Sequence, residues 1–279
     1  MHFAINLPNF AQFSDARALA ELAREAEAAG WDGFFLWDHI LYFPAGLEPP
    51  VPMADPWIAL TAVALSTSRI KFGPMVTPLP RRRPWKVARE ALTLDHLSQG
   101  RLILGVGLGS DRNREFESFG EEADPKTQGA MLDEGLAILN GLWSGEPFSF
   151  EGTHYHIRDI QFAPRPLQQP RIPIWLAGFW PHPRPFRRAA AWDGVTPLSR
   201  ERTLTPEDIH EIITFMQRHR QHTAPFDVMA SLYIGRDERT PEIIAAYEAA
   251  GTTWLQSCFT WNHSLEEVRA HIRRGPRSA

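Results

Sequence analysis

With 279 residues, 43% of them apolar and 22% charged, the chain has the length of one large α/β barrel or of two small domains, and its composition excludes a disordered or fibrous protein. A formal charge of −4 excludes the basic excess of a bulk nucleic-acid binder, and the single cysteine, Cys258, excludes an intrachain disulfide and a cysteine-built metal site. No run approaches the roughly 18 apolar residues that span a bilayer, and no basic segment leading into an apolar one opens the chain, so a cytoplasmic protein is expected.

Phe3 to Leu7 reads as a first strand, and Ser14-Asp15 caps a helix in which Leu19, Leu22, Ala23 and Ala26 recur at helical spacing until Gly30 closes it. Gly33 to Trp37 is a second strand. A proline-rich loop from Leu41 to Asp55 separates it from a helix over Pro56 to Leu65. Ile70 to Thr77 is strand three, followed by a helix from Pro84 to about Leu97 that ends at Gly100. Leu102 to Val106 is strand four. Its helix, near Gln128 to Leu142, is delayed by an acidic insertion holding Asn113, Glu115, Glu117 and Glu121.

A second insertion has Phe148 to Phe150 and His154 to Ile157 flanking Glu151-Gly152, as in a hairpin. Four further units follow: strands at Ile172 to Ala177, around Val195, at Val228 to Ile234 and at Trp254 to Phe259, each with a helix after it. Eight strands alternate with eight helices. No composition break divides them, which predicts one domain over residues 1–279. An open doubly wound sheet would carry a glycine-rich turn after strand one, where Pro8-Asn9-Phe10 stands instead. The expected fold is therefore a (β/α)8 TIM barrel with insertions after strand 4 and before strand 5. Its active site belongs at the C-terminal ends of the strands.

Those ends carry chemistry. Asp38 and His39 follow strand two, where an imidazole is placed for acid–base work, although a histidine bonded to loop backbone reads the same locally. Arg81-Arg82-Arg83 follow strand three, either as an anion grip or as solvated ion pairs. Gly105 to Gly109 at the end of strand four leads into an insertion, which makes it a weak dinucleotide motif; glycine there suits a flat ring lying against backbone. After strand five, Gly178-Phe179 with Arg184, Arg187 and Arg188 offers a phosphate site, and the strand-seven and strand-eight ends around Arg236 and Asn262 offer another. Sequence does not choose between them. Trp37, Trp180 and Trp261 are expected to wall a pocket, with Trp143 and Trp192 in the core. His154 and His156 lack a nearby acidic cluster, so no metal site is expected.

Several segments together resemble the luciferase-like flavin and F420-dependent oxidoreductases, also described as the bacterial luciferase-like monooxygenase superfamily. They are Gly30-Trp31-Asp32 leading to Trp37-Asp38-His39, Arg69 to Gly73 through Thr77-Pro78, Leu94 to Arg101, and Gly105 to Gly109 with Glu115-Phe116 beyond. The resemblance spans residues 1–200 and implies a TIM barrel, commonly a homodimer, that binds FMN or coenzyme F420. It implies a cis peptide at Met75-Val76 against the flavin ring, cofactor contacts from Ser110 and Asn113, and a cofactor phosphate near Gly178, Phe179 and Thr196. Asn6, Thr77 and Gly107 join these as strand-end cofactor contacts. Asp38 and His39 match the pair found near the hydride-transfer centre. Ile40-Leu41-Tyr42 replace a tryptophan of several F420 enzymes, and the Glu-His-His pattern of light-emitting members is absent.

The expected activity is oxidation or reduction of a small organic substrate by hydride transfer or by FMN-dependent monooxygenation, with Asp38 and His39 as catalytic residues. A non-catalytic flavin-binding protein and a metal-dependent barrel hydrolase are the alternatives. Substrate identity is not legible.

Overall fold

A computed structural model describes residues 1–277 except 44, 45, 47 and 222. Its strands are β1 (His2–Leu7), β2 (Gly33–Leu36), β3 (Lys71–Pro74), β4 (Thr77–Pro78), β5 (Leu104–Gly107), β6 (Phe148–Glu151), β7 (His156–Ile160), β8 (Ile174–Phe179), β9 (Gly194–Leu198), β10 (Asp227–Tyr233) and β11 (Trp254–Cys258). The helices are α1 (Ala16–Ala28), α2 (Pro56–Ser66), α3 (Pro84–Leu97), α4 (Pro125–Trp143), α5 (Pro183–Ala189), α6 (Pro206–Gln217), α7 (Pro241–Ala249) and α8 (Leu265–Arg274).

Nine parallel strands run in the order β3-β2-β1-β11-β10-β9-β8-β5-β4. β3 and β4 are the two halves of one barrel strand, interrupted at Met75-Val76, whose peptide bond is cis. β3 pairs with β2, β4 pairs with β5, and a parallel bridge from Phe72 to Leu102 joins β3 to the segment leading into β5. The sheet thereby closes into the eight-stranded TIM barrel that the βα count predicts. The second insertion forms the antiparallel pair β6–β7.

Local chemistry explains where the helices start. Aspartate or threonine followed by proline opens α2, α4, α6 and α7, with Asp55, Asp124, Thr205 and Thr240 accepting a backbone N–H of the first turn. This cap puts the start of α4 at Pro125, three residues ahead of the expected Gln128. The β6–β7 connection is likewise longer than a tight hairpin. Glu134 of α4 takes the backbone N–H groups of Thr153, His154 and Tyr155 and holds them out of the ladder.

Alternate residues of each strand point into the barrel. Phe35, Trp175 and Trp254 plug its lower half with rings 5.4–6.2 Å apart, packed with Ala4, Met75, Ile103 and Met229. Two positions further along the strands the lining turns polar: Asn6 donates to Gln256 at 2.8 Å, and Gln256 donates to Ser231 at 2.7 Å. The apolar plug thus supports a smaller, polar layer facing the C-terminal mouth. The main core lies outside, between the strands and the helices, where Phe34, Phe72, Leu104 and Ile174 are fully or almost fully buried. Among the described residues no helix is long and apolar enough to cross a membrane.

Candidate active site at the barrel mouth

The loop after β2 carries the best-organised polar cluster at the mouth. Asn9, completely buried beyond the end of β1, donates to the carbonyls of His39 and Ala54 at 2.7 Å each, pinning both ends of the long loop between β2 and α2. Asp38 is buried. Its Oδ1 accepts from Arg81 Nη2 at 2.6 Å, and its Oδ2 accepts from the Thr77 hydroxyl at 2.6 Å and from Trp57 Nε1 at 3.1 Å. Both oxygens are occupied by protein groups. The Thr77 hydroxyl, donated to Asp38 and approached by Trp57 at 3.2 Å, is equally committed.

His39 stands differently. Its Nδ1 lies 2.7 Å from Glu115 Oε2, while Nε2 has no hydrogen-bond partner among the described residues, and 24% of the side chain is exposed. Glu115 reaches in from the first insertion and is itself buried. Its Oε1 accepts from Arg81 Nη1 and from the Ile40 N–H, both at 2.8 Å. Burial alone would push the Glu115 carboxyl up, but His39, Arg81 and the Ile40 N–H together outweigh it and hold the group below the ordinary glutamate range.

Aromatic rings close around the imidazole. Tyr42 lies 4.6 Å from it and stacks on Phe10 at 4.4 Å; Trp37 and Trp261 complete the cluster. Beyond it an apolar groove of about 480 Å³ opens between Ile40 to Phe43 and Pro49 to Met53. A smaller cleft of about 70 Å³ lies at the ends of β9 and β10, flanked by Arg200 and Arg236.

The remaining expected site residues spread around the same rim. Met75 packs into the barrel plug and Val76 lies half-buried above it, so this pair forms the floor of the mouth. Asn6 Oδ1 is buried, yet it has no hydrogen-bond partner among the described residues. Ser110 and Asn113 stand on the loop after β5, with Asn113 Oδ1 accepting from the Phe43 N–H at 3.2 Å. Thr196 of β9 pairs in register with Ala177 of β8, which sets it beside Gly178 and Phe179, and the Arg200 guanidinium lies 4.8 Å from the Phe179 ring.

Three local readings change. Arg81 and Arg82 turn inward to Asp38, Glu115 and Glu90, so they do not make an anion grip at the mouth. Gly105 serves strand packing, since a Cβ there would sit 2.4 Å from the Pro74 carbonyl oxygen, while one at Gly107 would sit 3.1 Å from Val76 of the floor. Trp180 leaves the mouth for the helix layer, where it meets Phe186 and Phe215. Among the described residues no group of three or more His, Cys, Asp or Glu side chains is placed to hold a metal ion.

Comparison with known proteins then decides the family. The family model described as luciferase-like monooxygenase matches residues 1–276. The chain belongs to the luciferase-like monooxygenase family. Among its relatives, an F420-dependent glucose-6-phosphate dehydrogenase of Amycolatopsis mediterranei is 35% identical over 167 residues, which are 59% of this luciferase-like chain and 48% of the relative. The chain spans about half the length of the curated dehydrogenases it matches. An uncharacterized protein of Mycobacterium tuberculosis is 29% identical over 94% of this chain and 95% of its own. The same barrel recurs in an F420-dependent secondary alcohol dehydrogenase solved with an F420–acetone adduct, with a TM-score of 0.78 at 15% identity over 98% of this chain and 97% of that one. It recurs in a monooxygenase from Streptomyces bottropensis, with a TM-score of 0.75 at 22% identity and coverages of 98% and 97%.

Glu115 is the member of the His39 cluster that the strand-end reading does not single out. It lies in an acidic insertion among other carboxylates, and only its position in the family segment ending Glu115-Phe116 marks it out.

Proposed function

We propose that this protein is a single-domain oxidoreductase that binds coenzyme F420 or FMN at the barrel mouth and moves a hydride to or from a small organic substrate seated beside His39. The observation that carries the proposal is the His39 ring, held by a buried carboxylate at Nδ1 with its Nε2 unpartnered, beside the floor formed by Met75 and Val76. The mouth suits a flavin-like ring: an apolar floor, an unsatisfied buried oxygen on Asn6, and the polar side chains of Ser110 and Asn113 on one wall. Gly178, Phe179 and Thr196 would receive the cofactor phosphate, with Gly107 and the Thr77 backbone bordering the ring. A cofactor bound there supplies the hydride chemistry; the protein orients it and excludes water.

His39 Nε2 is the group placed to hold or give the proton at a substrate hydroxyl or carbonyl oxygen. Asp38 braces the loop that carries it. F420 is preferred over FMN because the Asp38-His39 pair has the form of the F420 enzymes and the matching dehydrogenases are F420-dependent. The groove beside Ile40 to Phe43 admits the substrate. A homodimer belongs to the same proposal: α2 is apolar around its circumference, and Ile58 and Leu65 are each 69% exposed on its outer side. A cytoplasmic location without a nucleic-acid partner fits the chain's charge and single buried cysteine.

The test is to load the protein with F420, present a panel of alcohols, sugar phosphates and carbonyl compounds, and follow the cofactor's absorbance. A substrate-dependent change slowed about 100-fold or more in His39→Ala, with cofactor binding retained, is expected. Full turnover by His39→Ala removes its acid–base role.

A further inference from the structure

We infer that Glu115 is the positioning residue of His39, fixing which ring nitrogen faces the substrate. This rests on the acid–base role proposed above for His39. The geometry is one-sided. Glu115 Oε1 is held by Arg81 Nη1 at 2.8 Å, by the Ile40 N–H at 2.8 Å and by the Leu41 N–H at 3.3 Å, so the carboxylate is oriented without any help from the imidazole. Its second oxygen, Oε2, is then aimed at His39 Nδ1, 2.7 Å away. An ionised carboxylate only accepts, so Nδ1 must carry the proton, and in the neutral ring Nε2 becomes the bare nitrogen.

Asp38, although adjacent in the chain, cannot take this part, because its oxygens are occupied by Arg81, Thr77 and Trp57. Arg81 bridges the two carboxylates and locks them relative to each other. The Glu115 carboxylate also takes the Ile40 and Leu41 N–H groups, where the chain enters the wall of the groove. Imidazole and loop entrance are therefore fixed by one side chain, and it comes from a different βα unit.

The tautomer is directly measurable without substrate. Protein labelled with 15N-histidine, with His39 assigned through the resonance lost in His39→Gln, should show a protonated Nδ1 and a bare Nε2 in the neutral ring. Glu115→Gln should shift the ring toward the opposite tautomer. A wild-type spectrum with a bare Nδ1 overturns the inference, even where Glu115→Gln does not fold.

A kinetic arm uses the F420-loaded protein and whichever substrate the panel yields. Glu115→Gln should lower kcat by no more than the roughly 100- to 10,000-fold that a positioned acid–base group contributes, leave cofactor affinity unchanged, and cost nothing further in the residual activity of His39→Ala. Equal losses in both backgrounds would mean that Glu115 only supports folding, and would overturn the inference. Full activity of His39→Ala defeats the parent reading instead, and the tautomer spectrum then still judges Glu115.

Discussion

Two buried side chains show how individual residues hold the barrel. Arg101 donates to the carbonyls of Ser98, Ile70, Ala64 and Thr67 and to the Thr67 hydroxyl, closing the space between α2, α3 and β3. Arg101→Met leaves the buried carbonyls of Ser98, Ile70 and Ala64 without this donor, and a loss of about 3 kcal/mol is expected, measured as a lowered urea midpoint. His271 is buried with Nε2 3.0 Å from the Ser257 hydroxyl and Nδ1 facing Arg274 Nη2. Burial first, then the charges of Arg239 and Arg274, push its pKa down to about 3 from the ordinary 6.5. The unfolded chain therefore binds a proton that the folded chain refuses, so the contribution of neutral His271 is whole above about pH 6.5 and is lost as pH falls toward 3. At pH 5 the loss reaches about 2 kcal/mol. His271→Gln should flatten this acid limb in urea titrations at pH 7.5 and pH 5; an unchanged limb would remove His271 as its source. At this scale the sequence shows His39, because the residue follows a strand directly. It does not show that Glu115 is its partner, since the two are 76 positions apart and meet only once the barrel has closed.

Elements were legible where local chemistry decides them. Proline after a capping residue marks the helix starts at Pro56, Pro206 and Pro241, and apolar spacing gives α1. The break between β3 and β4 was not legible from strand pattern, because Ile70 to Thr77 has the length of one barrel strand and its breakers, Gly73-Pro74, stand just ahead of the interruption; only the family resemblance pointed to Met75-Val76. The inward turn of Arg81 and Arg82 was hidden for a related reason, as their carboxylate partners come from the loop after β2, from α3 and from the first insertion. The seam between β3 and β5 tolerates no side chain at Gly105, where a Cβ would meet the Pro74 carbonyl oxygen and crowd Met75 and Val76. Gly105→Ala should cost about 2–3 kcal/mol and weaken cofactor binding by disturbing the floor. Thermal melts read the first effect and a fluorescence titration the second. Unchanged cofactor affinity in a folded variant would detach this seam from the binding site.

At the scale of the molecule, the alternation of eight strands and eight helices was sufficient to predict the barrel, because few architectures accept that pattern without a glycine-rich turn after strand one. The mouth was less legible, since its walls are loops from separate units brought together by closure. Assembly can be tested on α2: Ile58→Glu with Leu65→Glu should convert a dimer to a monomer in sedimentation velocity, while a wild-type protein already monomeric would refute the homodimer. The proposed occupant of the mouth beside His39 is a deazaflavin or flavin. Titrating the purified protein with F420 and with FMN, following the quenching of each cofactor's fluorescence, tests it directly. Saturable one-to-one binding is expected, tighter for F420; tighter FMN binding would reverse the cofactor preference, and no saturable binding of either would contradict the claim itself.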